Sequence, residues 1–413
     1  MLLTTARDVV PLVCLASLIV TGLRHPRPLT EGLVALVAIG ATLALGVPDL
    51  PGAADVVREL APVVAFLAGI LVVAEVCARA GLFDHAAGLV ARAGAGRPQV
   101  LLGGAFLLAA AVTVTLSLDA TVILLAPVAV GAAAALEESP WPPAYACLRM
   151  SNSASILLPT ANLTNLLAMP YLSISFLGFA AAMLPAWLAV LAVEYVGLRA
   201  LLASELRDPR PHTHVRGTTR PPLVPVVVVG LMLVGFAAGP TLGLEPWVAA
   251  GASAVVLVVW ALAGRRLPWT RVVHAAQPAF LLYVLALALV VEALATGFLG
   301  EWVARALPAH TTLPSLLLVA LLATVLANLL TNISAALLML PLVGPLGTPM
   351  VLAALIGLNV GSGLTWTGSL ANLLWRRGLA GQGLAPRQRT FHAVAWAITP
   401  AALLAAVACL AWF

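Results

Sequence analysis

The chain has 413 residues, 62% of them hydrophobic and only 9% charged, with a mean hydropathy of +1.07. Almost every window long enough to span a bilayer is apolar, which excludes a soluble globular domain and predicts an all-α polytopic membrane protein embedded in a lipid bilayer. The net charge of +5 comes from 21 arginines and no lysine, and in such a chain it reports loop orientation rather than a nucleic-acid partner.

The first apolar run has no small-residue cleavage context and is followed by another after a short Arg24/His25/Arg27 turn, so it is expected to stay as a helix. Spans are predicted at roughly 9–23, 29–47, 61–78, 100–117, 119–136, 144–169 and 175–198. A second set follows at roughly 222–240, 247–263, 279–296, 313–330, 333–346, 350–375 and 390–412. Between the sets lies "LLASELRDPRPHTHVRGTTRPP", the one long hydrophilic segment, which divides the chain into a first transmembrane repeat (1–200), a linker (201–221) and a second repeat (222–413). Cys14, Cys77, Cys147 and Cys409 are scattered without a CxxC pair and read as small buried side chains, so no metal site is expected. No HExxH, paired-carboxylate, nucleophile or phosphate-loop pattern occurs, which leaves an intramembrane enzyme without machinery and calls for no cofactor.

The two sets resemble each other when slid by about 207 to 216 positions. "AFLAGILVVAEVCARAGLF" lies over "AFLLYVLALALVVEALATGF", "SLDATVILLAP" over "TNISAALLMLP", and "PTANLTNLLA" over "WTGSLANLLW". Two halves can be inverted only if each crosses the membrane an odd number of times. That holds if the fourth and fifth spans of each half form a re-entrant hairpin, leaving five crossings per half. With the linker in the cytoplasm, the inner loops then collect most arginines, among them Arg24, Arg27, Arg79, Arg92, Arg207, Arg210, Arg216, Arg220, Arg265, Arg266, Arg271, Arg376 and Arg377. The outer side keeps Arg7, Arg58 and Arg305, both termini face outward, and Arg149 and Arg199 are expected near cytoplasmic helix ends.

Each half therefore offers a hairpin tip and a broken helix near membrane depth. Unpaired backbone there survives only where protein or a water-filled cavity surrounds it, so four such breaks together predict a binding site. The tips fall near "TLSLDAT" and "NLLTNISA", which puts Ser117, Thr121, Thr331 and Asn332 among the candidate solute-binding residues. The helix breaks fall at "LPTANLTN" and "GSGLTWTGS", adding Thr160, Asn162, Asn165, Thr367, Ser369 and, one turn on, Asn372. Gly361, Gly363 and Gly368 are expected to let the second helix unwind, with hydroxyls replacing its lost backbone bonds; the competing explanation is close helix packing by small residues.

Asp119 is the sharpest single residue. An acid at this depth costs about 2.5 to 3.5 kcal/mol on insertion scales and is a candidate for carrying a proton through a transport cycle. It is also a good helix N-cap just before "ATVILLAP", and the two roles are compatible. Glu75, Glu194 and Glu292 fall within a turn or two of helix ends, where a long side chain reaches water, and His274 and His392 read as interfacial.

The stretches "AFLAGILVVAEVCARAGLFD", "DATVILLAPV" and "GLTWTGSLANLLW" make the chain resemble, over essentially its whole length, the arsenite permease (ArsB) family of the ion transporter superfamily, which also holds the sodium-dicarboxylate symporters. The dicarboxylate branch carries Ser-Asn-Thr at each hairpin tip. The corresponding positions here are Ser117, Leu118, Asp119 and Thr331, Asn332, Ile333, so the first tip has an acid, similar to the permeases' Asn-Asp-Gly. Leu118 departs from the permeases' asparagine, only Asn332 remains of their asparagine pair, and Asn359 stands where they often have an aspartate.

What the resemblance implies is a bacterial inner-membrane secondary transporter exporting arsenite and antimonite in exchange for protons, with Asp119 as the proton-coupling group. The alternative on the same fold is a proton- or sodium-coupled symporter of a small anion; from another class, a non-transporting scaffold or sensor is disfavoured by the polar hairpin tips. A cytoplasmic ATPase subunit and a homodimer stay open as partners.

Overall fold

The computed structural model describes residues 2–24, 28–94, 97–206, 221–265 and 267–410. Most of the linker (207–220) and Arg27, Arg207, Arg210, Arg216, Arg220 and Arg266, all used above to orient the chain, lie outside the described residues.

Among the described residues the structure is all-helical. The first half runs α1 (Leu2–Arg24), α2 (Pro28–Ala44), α3 (Leu50–Arg79), α4 (Leu82–Gly94), α5 (Pro98–Thr115), α6 (Ala126–Ala135), α7 (Trp141–Ser153), α8 (Leu163–Ala168) and α9 (Phe176–Leu201). The second runs α10 (Leu223–Ala238), α11 (Pro246–Ala263), α12 (Trp269–Ala275), α13 (Pro278–Ala295), α14 (Phe298–Ala306), α15 (Leu313–Leu330), α16 (Asn332–Val343), α17 (Thr348–Asn359), α18 (Leu370–Ala380) and α19 (Gln388–Leu410). Seven segments among the described residues are long and apolar enough to cross a bilayer: α3, α5, α9, α11, α12 with α13, α15 and α19. Helices suit these sequences because lipid offers backbone groups no partner, so every N–H and C=O must be satisfied within the segment.

Side-chain oxygens fix several starts. Asp49 accepts from the Gly52 N–H at 2.9 Å ahead of α3, and Ser175 from the Gly178 N–H at 3.0 Å ahead of α9. The expected spans fall close to the observed ones except at α3, which starts eleven residues before the expected 61. Asp55, Arg58 and Glu59 break the apolar window there without breaking the helix, and Arg58 pairs with exposed Asp55 at 2.7 Å. Three helices are absent from the predicted set: α12, seven residues just ahead of α13, and α4 and α14, amphipathic helices of 13 and 9 residues that follow α3 and α13 at equivalent places. They are too short and too charged to register as spans.

The halves repeat in packing as well as in order. Helix α3 packs on α11 while α13 packs on α2; α7 packs on α5 and α6 while α17 packs on α15 and α16; and α9 lies along α19. Val56, Glu59, Leu60 and Val63 of α3 share a cavity with Ala288 and Glu292 of α13, whereas Leu71, Ala74 and Glu75 share another with Arg271, His274 and Gln277 just ahead of α13. These equivalent helices therefore run in opposite directions. At the centre sit α7 and α17, buried on all sides, so their ends meet protein rather than lipid.

Candidate functional site

Helix α7 stops at Ser153, continues as two short 3-10 turns and resumes as α8; α17 stops at Asn359, continues as one such turn (Gly361–Leu364) and resumes as α18. The breaks match residue for residue at an offset of 207. Leu158 and Thr365 are extended, and so are Asn162 (φ −146°, ψ 143°) and Ser369 (φ −142°, ψ 141°). Each of the latter two caps the resumed helix, Asn162 Oδ1 accepting from the Thr164 N–H and Ser369 Oγ from the Ala371 N–H, both at 3.2 Å.

At the first tip, Ser117 Oγ accepts the Ala120 N–H at 3.2 Å. The cap is therefore Ser117, not Asp119, which lies inside the first turn with helical φ and ψ and makes no capping bond. A π-helical turn (Ala120–Leu125) follows, closed by the Ala126 N–H donating to Thr121 O. Such turns insert an extra residue and gather at functional sites. At the second tip Thr331 holds φ at +78°, a conformation L side chains rarely adopt, and the Asn332 N–H donates to Gly368 O at 3.0 Å, tying tip to break.

The two tips and two breaks converge on one cavity of about 30 Å3, room for about two waters. Its polar wall is Ser117, Asp119, Thr160, Asn162, Asn332 and Ser369, with Phe66, Ile70 and Phe280 closing the apolar side. Thr160 is only 4% exposed, yet its hydroxyl has no partner within the protein. A buried hydroxyl without a partner in a cavity wall is waiting for one from a solute or water. Asp119, partly buried, also lines a second cavity of about 180 Å3 with Glu75, Arg271, His274 and Gln277. Asp119 thus stands between the central cavity and the one that Arg271 lines.

The other candidates lie outside the cavity wall. Thr121 is buried within the first hairpin, its hydroxyl 2.7 Å from that of Thr113; Thr331 pairs with Ser334 at 3.2 Å; Thr367 donates to Asn328 O at 3.1 Å. Asn165 donates to Ser155 O at 2.7 Å and Leu158 O at 3.0 Å, and Asn372 to Ser362 O at 3.1 Å and Thr365 O at 2.8 Å, the same pattern 207 residues on. Both hold a break together from behind.

Gly361, Gly363 and Gly368 lie where the helix is interrupted and none has positive φ, so what calls for glycine at them is close approach rather than a left-handed backbone. A Cβ at Gly361 would fall on the Thr324 hydroxyl, one at Gly363 would meet Arg149 Nη1 at 2.8 Å, and one at Gly368 would strike Ser362 O and Asn328 Oδ1. Gly361→Ala should lower stability by about 1–3 kcal/mol through overpacking. Gly131→Ala, where a Cβ has nothing within 4 Å, serves as the control, and thermal melting of both variants in detergent measures the difference.

Sequence reasoning missed three groups. Asn328 on α15 staples the second break: its Nδ2 donates to Gly361 O at 3.0 Å and its Oδ1 accepts from the Thr365 N–H at 3.0 Å and hydroxyl at 2.7 Å. Asn152 and Asn359 each reach across to the other half, Asn152 donating to Asn372 Oδ1 at 2.8 Å and Asn359 to Asn165 Oδ1 at 2.7 Å. The readable signal was the repeat itself, which extended upstream sets Asn152 over Asn359 and Ser155 over Ser362.

The third group corrects two expectations. Arg149 and Glu194 are not near helix ends in water but 3% and 0% exposed, joined by two bonds, Nε to Oε2 at 2.8 Å and Nη2 to Oε1 at 2.6 Å. Arg149 also donates to Thr399 Oγ1 at 2.9 Å, and the Ser153 hydroxyl donates to Glu194. The acid and its partner lie 45 residues apart on different helices, so helix-end position alone misplaced both.

Comparison with known proteins places this architecture. Arsenical pump membrane proteins of Escherichia coli K12 and Yersinia enterocolitica are 27% and 26% identical to the chain, covering 82% and 85% of it and 83% and 86% of themselves. The crystal structure of the Alcanivorax borkumensis YdaH transporter, described as having an unusual topology, superposes with a TM-score of 0.56 at 17% identity over 94% of this chain and 98% of that one, a likeness of fold. The apolar spans and bacterial transporter relatives make the chain a multi-pass protein of a bacterial inner membrane. Residues 16–348 match the citrate transporter family model, most of the chain's length, and the chain belongs to that family of membrane transporters.

Proposed function

We propose that the chain is a secondary active exporter of trivalent arsenite and antimonite, exchanging them for protons at Asp119. The observation that carries this reading is the make-up of the central cavity: hydroxyls, amides and one carboxyl, with no basic side chain in its wall. Arsenite and antimonite in neutral water are uncharged trihydroxides, which both donate and accept hydrogen bonds. Thr160, lacking a protein partner, and the hydroxyls of Ser117 and Ser369 offer such a solute donors, and the Asp119 carboxylate accepts from it. The names of the curated relatives agree with this cargo.

Asp119 lines both cavities, so one group can exchange a proton with the second cavity and a hydrogen bond with the solute in the first. In the proposed cycle it is protonated from outside, and it loses that proton inward as metalloid is captured. The full topology is ten crossings: α1, α2, α3, α7 with α8, and α9, then α10, α11, α13, α17 with α18, and α19. The hairpins α5–α6 and α15–α16 enter and leave on opposite sides. Residues 1–200 and 222–413 are then inverted repeats joined by a cytoplasmic 201–221 linker, with the hairpins and broken helices moving against the rest. The antiparallel course of α3 and α13 supports the inversion.

Expression in a host lacking its own exporters should restore growth on arsenite, and everted vesicles should accumulate arsenite when energised. Sensitivity unchanged at normal protein abundance would sink the metalloid reading. A second reading, symport of a small anion, is favoured by the family match and by the four helix starts (118–120, 163, 332 and 370) around the cavity, whose dipoles suit negative charge. Sodium-dependent citrate uptake would select it, although a fixed carboxyl in the wall opposes an anion.

A further inference from the structure

The orientation of the Asn162 carboxamide, the amide of the first break that lines the cavity, is forced from both ends of a relay. Its Oδ1 accepts the backbone N–H of Thr164 at 3.2 Å, and a backbone N–H can only donate, so Nδ2 must face the other way. There it donates to Ser155 Oγ at 3.3 Å and to Asn359 Oδ1. Asn359 Oδ1 also takes the Thr164 hydroxyl at 2.8 Å, so its own Nδ2 turns to Asn165 Oδ1 at 2.7 Å. Asn165 in turn donates to the carbonyls of Ser155 and Leu158, which can only accept. A backbone donor at one end and backbone acceptors at the other leave one consistent direction for all three amides.

Both hydrogens of Asn162 Nδ2 are spent in this relay, so the atom with capacity left for a solute is Oδ1, an acceptor. Together with the Asp119 carboxyl it gives the wall two acceptors that hydrogens from the solute can meet. A neutral polyhydroxylated solute brings them. An oxyanion without hydroxyls brings only acceptors, so it leaves Asn162 Oδ1 with the Thr164 N–H alone and sets its own charge against the Asp119 carboxyl, a penalty that disfavours it.

We propose that Asn359 is the positioning residue that fixes the polarity of the solute site, engaging Asn162 Nδ2 so that only Oδ1 is left for a solute and the cavity selects neutral polyhydroxylated solutes over acceptor-only oxyanions. The proposal rests on the cavity being the solute site. Its built-in control is Asn152, the equivalent residue of the first half, which donates to Asn372 and accepts from Ser362 Oγ at 3.4 Å. Neither of those residues lines the cavity.

The test is the ligand-induced rise in melting temperature of the purified full-length protein with arsenite, antimonite or boric acid as trihydroxides, and sulfate or oxalate as oxyanions without hydroxyls. The wild type should be stabilised by trihydroxides and not by oxyanions. Asn359→Leu and the smaller Asn359→Ser should lose that rise, while Asn152→Leu keeps it even if its basal melting point falls. A retained rise in the Asn359 variants, an equal loss in Asn152→Leu, or no trihydroxide rise in the wild type overturns the proposal. If neither Asn359 variant elutes as folded protein, the wild type decides: equal stabilisation by oxalate and boric acid overturns it, and trihydroxide-only stabilisation supports it. Boric acid stabilisation that depends on Asn359, with no arsenite export, would refute the metalloid function and leave the polarity rule standing.

Discussion

Asp119→Asn should abolish arsenite accumulation by everted vesicles under an imposed pH gradient, bringing it to the level of empty-vector vesicles at unchanged protein abundance. The substitution keeps shape and hydrogen-bonding size and removes the one ionisable side chain in the wall of the central cavity. Ser117, not Asp119, caps the first turn, so losing the carboxyl does not undo the tip and the variant is expected to fold. Exchange of labelled for unlabelled arsenite at equal pH needs no net proton movement and should persist. If pH-driven export survives in Asp119→Asn, the proton travels elsewhere.

The second large effect concerns the buried ion pair. Arg149→Leu should leave Glu194 charged at 0% exposure with only the Ser153 hydroxyl and no cation, a loss of about 3–5 kcal/mol. Against a total stability of about 5–15 kcal/mol that is enough to remove most folded protein. Replacing both residues, Arg149→Leu with Glu194→Leu, removes the orphaned charge and should recover much of the yield, because the desolvation cost of a buried pair roughly offsets its attraction. The measurement is the monodisperse fraction after detergent extraction. Equal losses in the single and double variants would mean that the pair acts through its shape and its bonds to Thr399 and Gly363 O, not through charge balance.

The fold was legible because its signals are local. Apolar runs of span length, the Pro- and Gly-bearing gaps between them and polar insertions inside them each mark an element without reference to the rest of the chain. Hence the four irregular segments were found and the structure joins them at one cavity. Function within them was less legible, since Asn162 and Asn165 sit three residues apart and look equally suited to a solute. Only the packing shows one on the wall and the other bonded to Ser155 and Leu158 behind it. The ion pair was hidden for the same reason. A glutamate two turns from the end of α9 reads as reaching water until α7 and α19 are seen to cover it.

The crossed asparagines make each half the other's missing part. Asn165 secures the first break but is itself held by Asn359, and Asn372 secures the second but is held by Asn152. A polypeptide made of one half would leave these buried amides short of partners. The site is therefore complete only when both halves of the chain are present.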